Sequence, residues 1–277
     1  LGSKNIALVS GSTVDLGSLT TTGTLSVTSS GAVTDSGALA ITGTTTIAAG
    51  SANNITLDHT SNNFQGAVII TSGNNVTLVD AGAIDLGAST VSGTYAVTAT
   101  SGGDITDSGV LAITGASTLT VANGQNITLD SSSTFTGAVT FAASSGTIAG
   151  VTINDSGAFD LAALTITGNL TVTAGGAVTD SGALVIPGTA TISASGQDVT
   201  LNVSTNNFTG AVAITGANVS VVDAGALVLG ASTVSGTFAA TATASGDITN
   251  TGALAITGAS TFTAAGGQSI TVANSSN

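Results

Sequence analysis

The sequence predicts an all-β protein, a solenoid of stacked β-strand coils, on three observations: a long tandem repeat, period-two alternation within it, and a composition poor in helix formers. The repeat is clearest in Gly31 to Gly43, GAVTDSGALAITG, which returns as GDITDSGVLAITG from Gly103, GAVTDSGALVIPG from Gly176 and GDITNTGALAITG from Gly246. Those starts lie 72, 73 and 70 residues apart. Independent loops do not keep such a period, so the array is read before any local motif. The alternation appears in Ala38-Leu39-Ala40-Ile41, Ile84-Asp85-Leu86, Thr118-Leu119-Thr120-Val121 and Leu170-Thr171-Val172. It sends one set of side chains inward and hydroxyls outward. Of the 277 residues only 5% are charged: fourteen Asp, no Glu, the single base Lys4 and no Arg. With Met absent as well, the strong helix formers apart from Ala and Leu are largely missing.

A net charge of −13 with one basic side chain leaves nothing to neutralise phosphates, so nucleic acid and anionic membranes are excluded as partners. No cysteine means no disulfide framework and no thiolate metal site, and the near absence of Lys fits a chain that persists outside cells. Every apolar stretch is interrupted within a few positions by Thr, Ser, Gly or Asp, so no segment reaches the length of a membrane span. The chain opens at Leu1 with neither an initiator Met nor a leader, as expected of a processed product or a segment of a longer protein.

Taken in order, Asn5 to Gly17 (NIALVSGSTVDLG) matches Asn75 to Gly87 (NVTLVDAGAIDLG), and Ile270 to Asn277 follows the phrase that begins at Ile55. The array is therefore expected to begin and stop within a repeat, uncapped, as a fragment of a longer one. Each repeat shows three phrases ending in Gly-Ala-x-apolar, for example at Gly37, Gly66 and Gly82. This predicts three coils of about 24 residues per repeat, and eleven or twelve coils in one continuous solenoid over residues 1–277. Gly and Asn at the joints supply the corners. Pro187 replaces the Thr found at Thr42, Thr114 and Thr257; lacking a ladder donor, it should lie at a strand end or turn.

The Gly-Ala-Leu-x-Ile-Thr-Gly and Thr-x-Thr-x-x-Ala-Gly rhythm of Gly37 to Gly43, Thr98 to Gly102 and Thr171 to Gly175 resembles filamentous-haemagglutinin-type adhesins and related two-partner-secreted or autotransporter passengers. The resemblance covers essentially the whole chain. It implies a long right-handed parallel β-helix on a bacterial surface.

Asp-x-Gly recurs at Asp35, Asp80, Asp107, Asp155, Asp180 and Asp223, with Asn250 at the seventh position. Stacked carboxylates could bind calcium. The plainer reading, preferred because Asn250 serves uncharged, is an Asx turn capping backbone amides before a glycine corner. Asp35, Asp107 and Asp180 are then expected at equivalent corners three coils apart, each near amides of its own turn. Thr-x-Thr pairs such as Thr98/Thr100, Thr118/Thr120 and Thr261/Thr263 resemble an ice-binding array, but Thr is also simply a favoured exposed strand residue. Phe64, Phe135 and Phe208, and Tyr95 with Phe238, are expected in the core rather than on a sugar-stacking surface. His59, the lone imidazole, is matched by Ser131 and Val203 in other repeats, and its neighbour Asp58 points to the opposite face. Asn-x-Ser/Thr at Asn54, Asn126 and Asn207 reflects composition.

No catalytic, cofactor-binding or metal-binding residue is therefore assigned, and no cofactor is expected. The expected function is a stalk or filament segment of a large secreted or cell-surface bacterial adhesin, without catalysis. Two further classes are a glycan- or ice-binding face and a self-assembling extracellular fibre subunit, because open coil ends expose strand edges. The expected partners are flanking repeats of the same protein, other copies joined end to end, and host or surface glycans.

Overall fold

The computed structural model describes residues 4–244 and 246–273, so Leu1 to Ser3 and Asn274 to Asn277, where open ends are expected, lie outside the described residues. It falls into two compact units, Leu1–Ile148 and Ala149–Asn277. Both are β-solenoids of parallel stacked strands, about 13 turns in all, with no helix among the described residues.

In the first unit, one repeat supplies β1 (Ile6–Ser10), β2 (Val14–Asp15), β3 (Leu19–Thr21), β4 (Leu25–Ser29), β5 (Val33–Thr34), β6 (Leu39–Ile41), β7 (Thr45–Ala48), β8 (Ile55–Leu57), β9 (Asn63–Phe64) and β10 (Val68–Ser72). The next supplies β11 (Val76–Asp80), β12 (Ile84–Leu86), β13 (Ser89–Val91), β14 (Tyr95–Ala99), β15 (Ile105–Asp107), β16 (Leu111–Ile113), β17 (Ser117–Val121), β18 (Ile127–Phe135) and β19 (Val139–Ala143). Each turn lays three strands on three faces, and a strand generally pairs with one a turn later. Ile6 pairs with Leu25, Leu25 with Thr45 and Thr45 with Val68, steps of 19, 20 and 23 residues. A turn is thus shorter than the 24 residues inferred from the sequence, which is why there are more turns than eleven or twelve.

Ten strands do not divide evenly over three faces. One repeat therefore makes three and a third turns, and the next begins one face further round. β11, the counterpart of β1, does not stack on the β1–β4–β7–β10 column; it continues the β2–β5–β8 column, with Val76 opposite Ile55. The second unit repeats this plan internally: Val219–Asp223, counterpart of Val151–Asp155, stacks on Val199–Leu201. The three-coil repeat expected from the sequence is corrected by the tenth strand.

Alternation decides what is inside. Leu25, Val27, Ile41, Ile47, Leu57 and Ile70 are buried, as are their counterparts Val97, Leu119, Val172, Ile192 and Ile214. Each such side chain contributes about 1.5 to 3 kcal/mol by leaving water. Phe64, Phe135, Phe208, Tyr95 and Phe238 are core residues as expected, although Phe64 in β9 and Phe135 in β18 stack in different columns. Corners need close backbone approach. A Cβ on Gly115 would sit 2.4 Å from the Gly93 carbonyl oxygen, and one on Gly137 2.4 Å from that of Gly115. Only glycine allows the Gly115 N–H to reach Gly93 O at 3.0 Å. Pro187 follows the strand Leu184–Ile186, at a strand end as expected. Its counterparts Thr42, Thr114 and Thr257 each donate an N–H to the preceding coil there.

Candidate functional site

The polar groups able to carry chemistry lie at the corners, and they fall into three arrangements. In the first, an Asn or Asp just before a strand accepts the backbone N–H at the same point of the next coil. Asn5 Oδ1 accepts Thr24 N–H at 3.0 Å, Asn75 Oδ1 accepts Thr94 N–H at 3.0 Å, Asp104 Oδ1 accepts Asn126 N–H at 2.6 Å and Asp198 Oδ1 accepts Asn218 N–H at 3.0 Å. This ladder was missed from sequence, although its signal is plain: an Asn or Asp precedes the apolar-Thr phrases at Ile55, Val76, Ile105, Val199, Val219 and Ile248.

The second arrangement holds Asp35, Asp107 and Asp180. These are equivalent within the repeat, but Asp35 follows β5 in the β2–β5–β8 column whereas Asp107 ends β15, in a column with β12 and β18. The shared corner expected from the sequence is overturned by the one-face shift. Nor do they cap their own turns. Asp35 Oδ1 accepts Asp58 N–H at 2.9 Å, Asp107 Oδ1 accepts Asp130 N–H at 2.9 Å, and Asp180 Oδ1 accepts Asn202 N–H at 2.8 Å, all one coil onward. The other oxygen of Asp35 and of Asp180 accepts an amide N–H from Asn62 or Asn206, at 2.6 Å in both cases. Asn62 Oδ1 and Asn206 Oδ1 in turn accept the N–H groups of Leu39 and Leu184. At Asp107 the Asn position is Ser133, and Asp107 Oδ2 is buried without a partner. Burial, with the nearby Asp130 charge adding to it, raises the Asp107 pKa against the pull of the Ser131 and Asp130 amides.

The third arrangement handles the face shift. Asp80 and Asp223 are fully buried. Each sits where a two-residue strand of the preceding coil has no ladder partner above it. Asp80 Oδ2 accepts Phe64 N–H at 2.6 Å and Oδ1 accepts Gly82 N–H at 2.6 Å; Asp223 binds Phe208 N–H and Gly225 N–H in the same way. Burial raises both pKa values against these amides. Nearby, Ser89 Oγ accepts Ile70 N–H and donates to Gly87 O, as Ser232 does for Ile214 and Gly230. These caps satisfy the ladder groups that the change of face would leave bare. Asp80 and Asp107 are not stacked on each other, since Asp80 lies opposite Ala99.

On the outer surface, one column of the first unit runs Asp15, Thr34, Thr56, Thr77, Ala96, Thr118, Thr140 in direct register. The second unit has the same column as Asp160, Thr179, Thr200, Ser220, Ala239, Thr261. Where Ala239 interrupts the hydroxyls, a groove of about 180 Å³ opens beside Thr200, Ser220, Asn218 and Thr237. The exposed Asp15 has its pKa lowered by the Gly17 amide and by the Ser36 hydroxyl and amide. His59 Nδ1 accepts Ser61 N–H at 3.2 Å. No group of three or more His, Cys, Asp or Glu side chains able to hold a metal occurs among the described residues.

A family model described as Repeats of unknown function (DUF5649) matches residues 3–71, 73–142, 149–215 and 216–277. Each match begins two to three residues before β1, β11, Val151–Asp155 or Val219–Asp223, so the family unit is the ten-strand repeat. No curated protein and no solved structure matches the chain.

Proposed function

The chain belongs to that repeat family, and we propose that it is a structural stalk or filament segment of a large secreted or cell-surface bacterial adhesin, without catalysis of its own. The observation that carries this reading is where the carboxylates and amides point. Corner after corner, their oxygens accept backbone N–H groups of an adjacent coil, joining layer to layer. Such cross-links favour a persistent scaffold. The flanking repeats of the same protein are its first partners in this reading, and neither nucleic acid nor a bilayer is a target of so acidic a surface.

The test is location and mechanics together. Antibody raised against the chain should label intact cells of the source bacterium, and the folded chain should resist proteases that cleave it once unfolded. Labelling that requires permeabilised cells would refute the surface role.

A second reading is favoured by the hydroxyl columns. Their register repeats in both units, and the groove beside Ala239 suits a sugar edge. Retention on immobilised glycans, lost in Thr200→Val and Ser220→Ala, would support this; retention on ice instead would assign the column to water. Binding of neither leaves the column as a solvated surface.

A further inference from the structure

Asn123 is the only asparagine of the chain that is followed by glycine. The pair forms the centre of a type II turn: Gly124 has a φ of +75°, and Gln125 N–H donates to Ala122 O at 3.3 Å. The same turn recurs at Gly196 and Gly267, where Ser195 and Gly266 hold the position of Asn123. Asn123 and Gly124 are exposed, and a Cβ on Gly124 would meet nothing within 4 Å. Water and hydroxide therefore reach a side-chain amide whose following backbone nitrogen carries no side chain to shield it. Thr147, one coil onward, holds both groups. Its N–H donates to Asn123 Oδ1 at 2.9 Å, and its carbonyl oxygen accepts Gly124 N–H at 2.9 Å.

We infer that Asn123 is a deamidation site of this solenoid and that Thr147 is the latch that controls it. In the reaction the Gly124 nitrogen gives its proton to hydroxide and attacks Asn123 Cγ. The N–Cγ bond forms, the Cγ–Nδ2 bond breaks, and Nδ2 leaves as ammonia with a proton drawn from water. Water then opens the cyclic imide at either carbonyl, giving aspartate or isoaspartate. The latched corner opposes the attack twice. Thr147 O keeps the Gly124 proton in a hydrogen bond, and a type II turn sets ψ of the residue before its glycine to about +120°, which rotates the Gly124 nitrogen away from Cγ. Opening of the corner releases both restraints. An aspartate product can latch again, since the Asp104 and Asp198 carboxylates accept next-coil N–H groups in the same manner. Isoaspartate cannot, because its main chain runs through Cβ and the added carbon displaces Gly124 from Thr147 O. The site thus turns an opening of this corner into a permanent covalent change.

The test incubates the intact chain in warm, mildly alkaline buffer, folded and in urea, and follows isoaspartate residue by residue with fragment mass spectrometry. In urea it should form at Asn123 before any other asparagine, and at least tenfold faster there than at Asn123 of the folded chain. Gly146→Ala loosens the latch without altering the reacting pair, because its Cβ would sit 2.1 Å from Asn123 Oδ1 and push that oxygen off Thr147 N–H. In the folded variant, with its circular dichroism spectrum unchanged, the rate at Asn123 should rise at least threefold over the folded parent; an unchanged rate would overturn the latch. Equal rates at Asn123 in folded and urea-treated parent, or isoaspartate arising first at another asparagine in urea, would overturn the inference even where Gly146→Ala fails to fold.

Discussion

The corner built on Asp180 and the one built on Asp107 occupy the same place in the repeat and are solved differently. From Val199 to Phe208 there are ten residues, with a turn in which Asn206 N–H donates to Val203 O at 3.0 Å. From Ile127 to Phe135 there are nine, and they run as one unbroken strand. In the longer corner the fully buried Asn206 joins Asp180 Oδ2 to Leu184 N–H. In the shorter one Ser133 Oγ accepts only Leu111 N–H, at 3.0 Å, and Asp107 keeps a buried bare oxygen. The ladder thus tolerates loss of a corner residue provided the backbone N–H stays satisfied. What it gives up is the match between donor and carboxylate.

The largest effect should come from breaking the complete corner. Asn206→Ala strands Leu184 N–H away from water and leaves Asp180 Oδ2 with the Val203 N–H at 3.3 Å alone, which costs about 2 to 3 kcal/mol. Asn62→Ala should cost as much. Ser133→Ala orphans a single N–H and should cost about 1 kcal/mol. Urea unfolding of the three variants checks the order, and equal losses would mean that the corners do not differ.

Next in size is one substitution made at both corners. Asp180→Asn sets an amide NH₂ against that of Asn206 and should cost about 1 to 3 kcal/mol. Asp107→Asn keeps an oxygen for Asp130 N–H, removes charge beside Asp130 and should stabilise by up to about 1 kcal/mol at neutral pH. Asn250 already stands at this position in the last repeat, with Nδ2 donating to Gly252 O. Opposite signs are the expected result; a loss at both sites would refute the unmatched oxygen as a liability.

Acidity sharpens the comparison further. Burial raises the pKa values of Asp80, Asp107 and Asp223, so in the pH range just above 3.8 the native state binds more protons than the unfolded chain. The stability they contribute is fully present below the unfolded value and is lost as pH rises through the folded values. Melting temperature should therefore rise as pH falls from 7 towards 4, aided by relief of the net negative charge. Asp107→Asn should flatten that rise, whereas Asn206→Ala should not. An identical slope in Asp107→Asn and the parent would place its titration at the ordinary value.

Much of this was legible in the sequence, and the parts that were not share a cause. Apolar alternation, corner glycines and the buried Phe64, Phe208 and Tyr95 follow from local pattern, because each depends on which side of one strand a residue occupies. The partner of Asp35 does not, since it depends on how many residues intervene before Asp58. The face shift depends on the number of strands per repeat, which three Gly-Ala-x-apolar phrases per repeat do not count. A count of alternating phrases, not of Gly-Ala markers, would have given ten. The Asn ladder needed only the observation that each Asn or Asp stands one coil before another strand entry.

The smallest effect is also the most specific. Ser133→Asn places an amide where Asn62 and Asn206 stand, its Oδ1 able to accept Leu111 N–H and its Nδ2 able to donate to Asp107 Oδ2. The gain is one charge-assisted hydrogen bond, less the rotamer freedom of a longer side chain, so about 0.5 to 1 kcal/mol is expected. Because Ser133 is fully buried and its strand lacks the extra residue of the longer corner, full benefit should require that residue as well. Inserting one residue between Ser131 and Ser132 in the Ser133→Asn protein should restore the turn and bring the gain to the upper end. The readout is the urea midpoint together with the carboxyl carbon resonance of Asp107, whose titration should move down in pH. A raised midpoint without that move would mean the new amide had found some other partner.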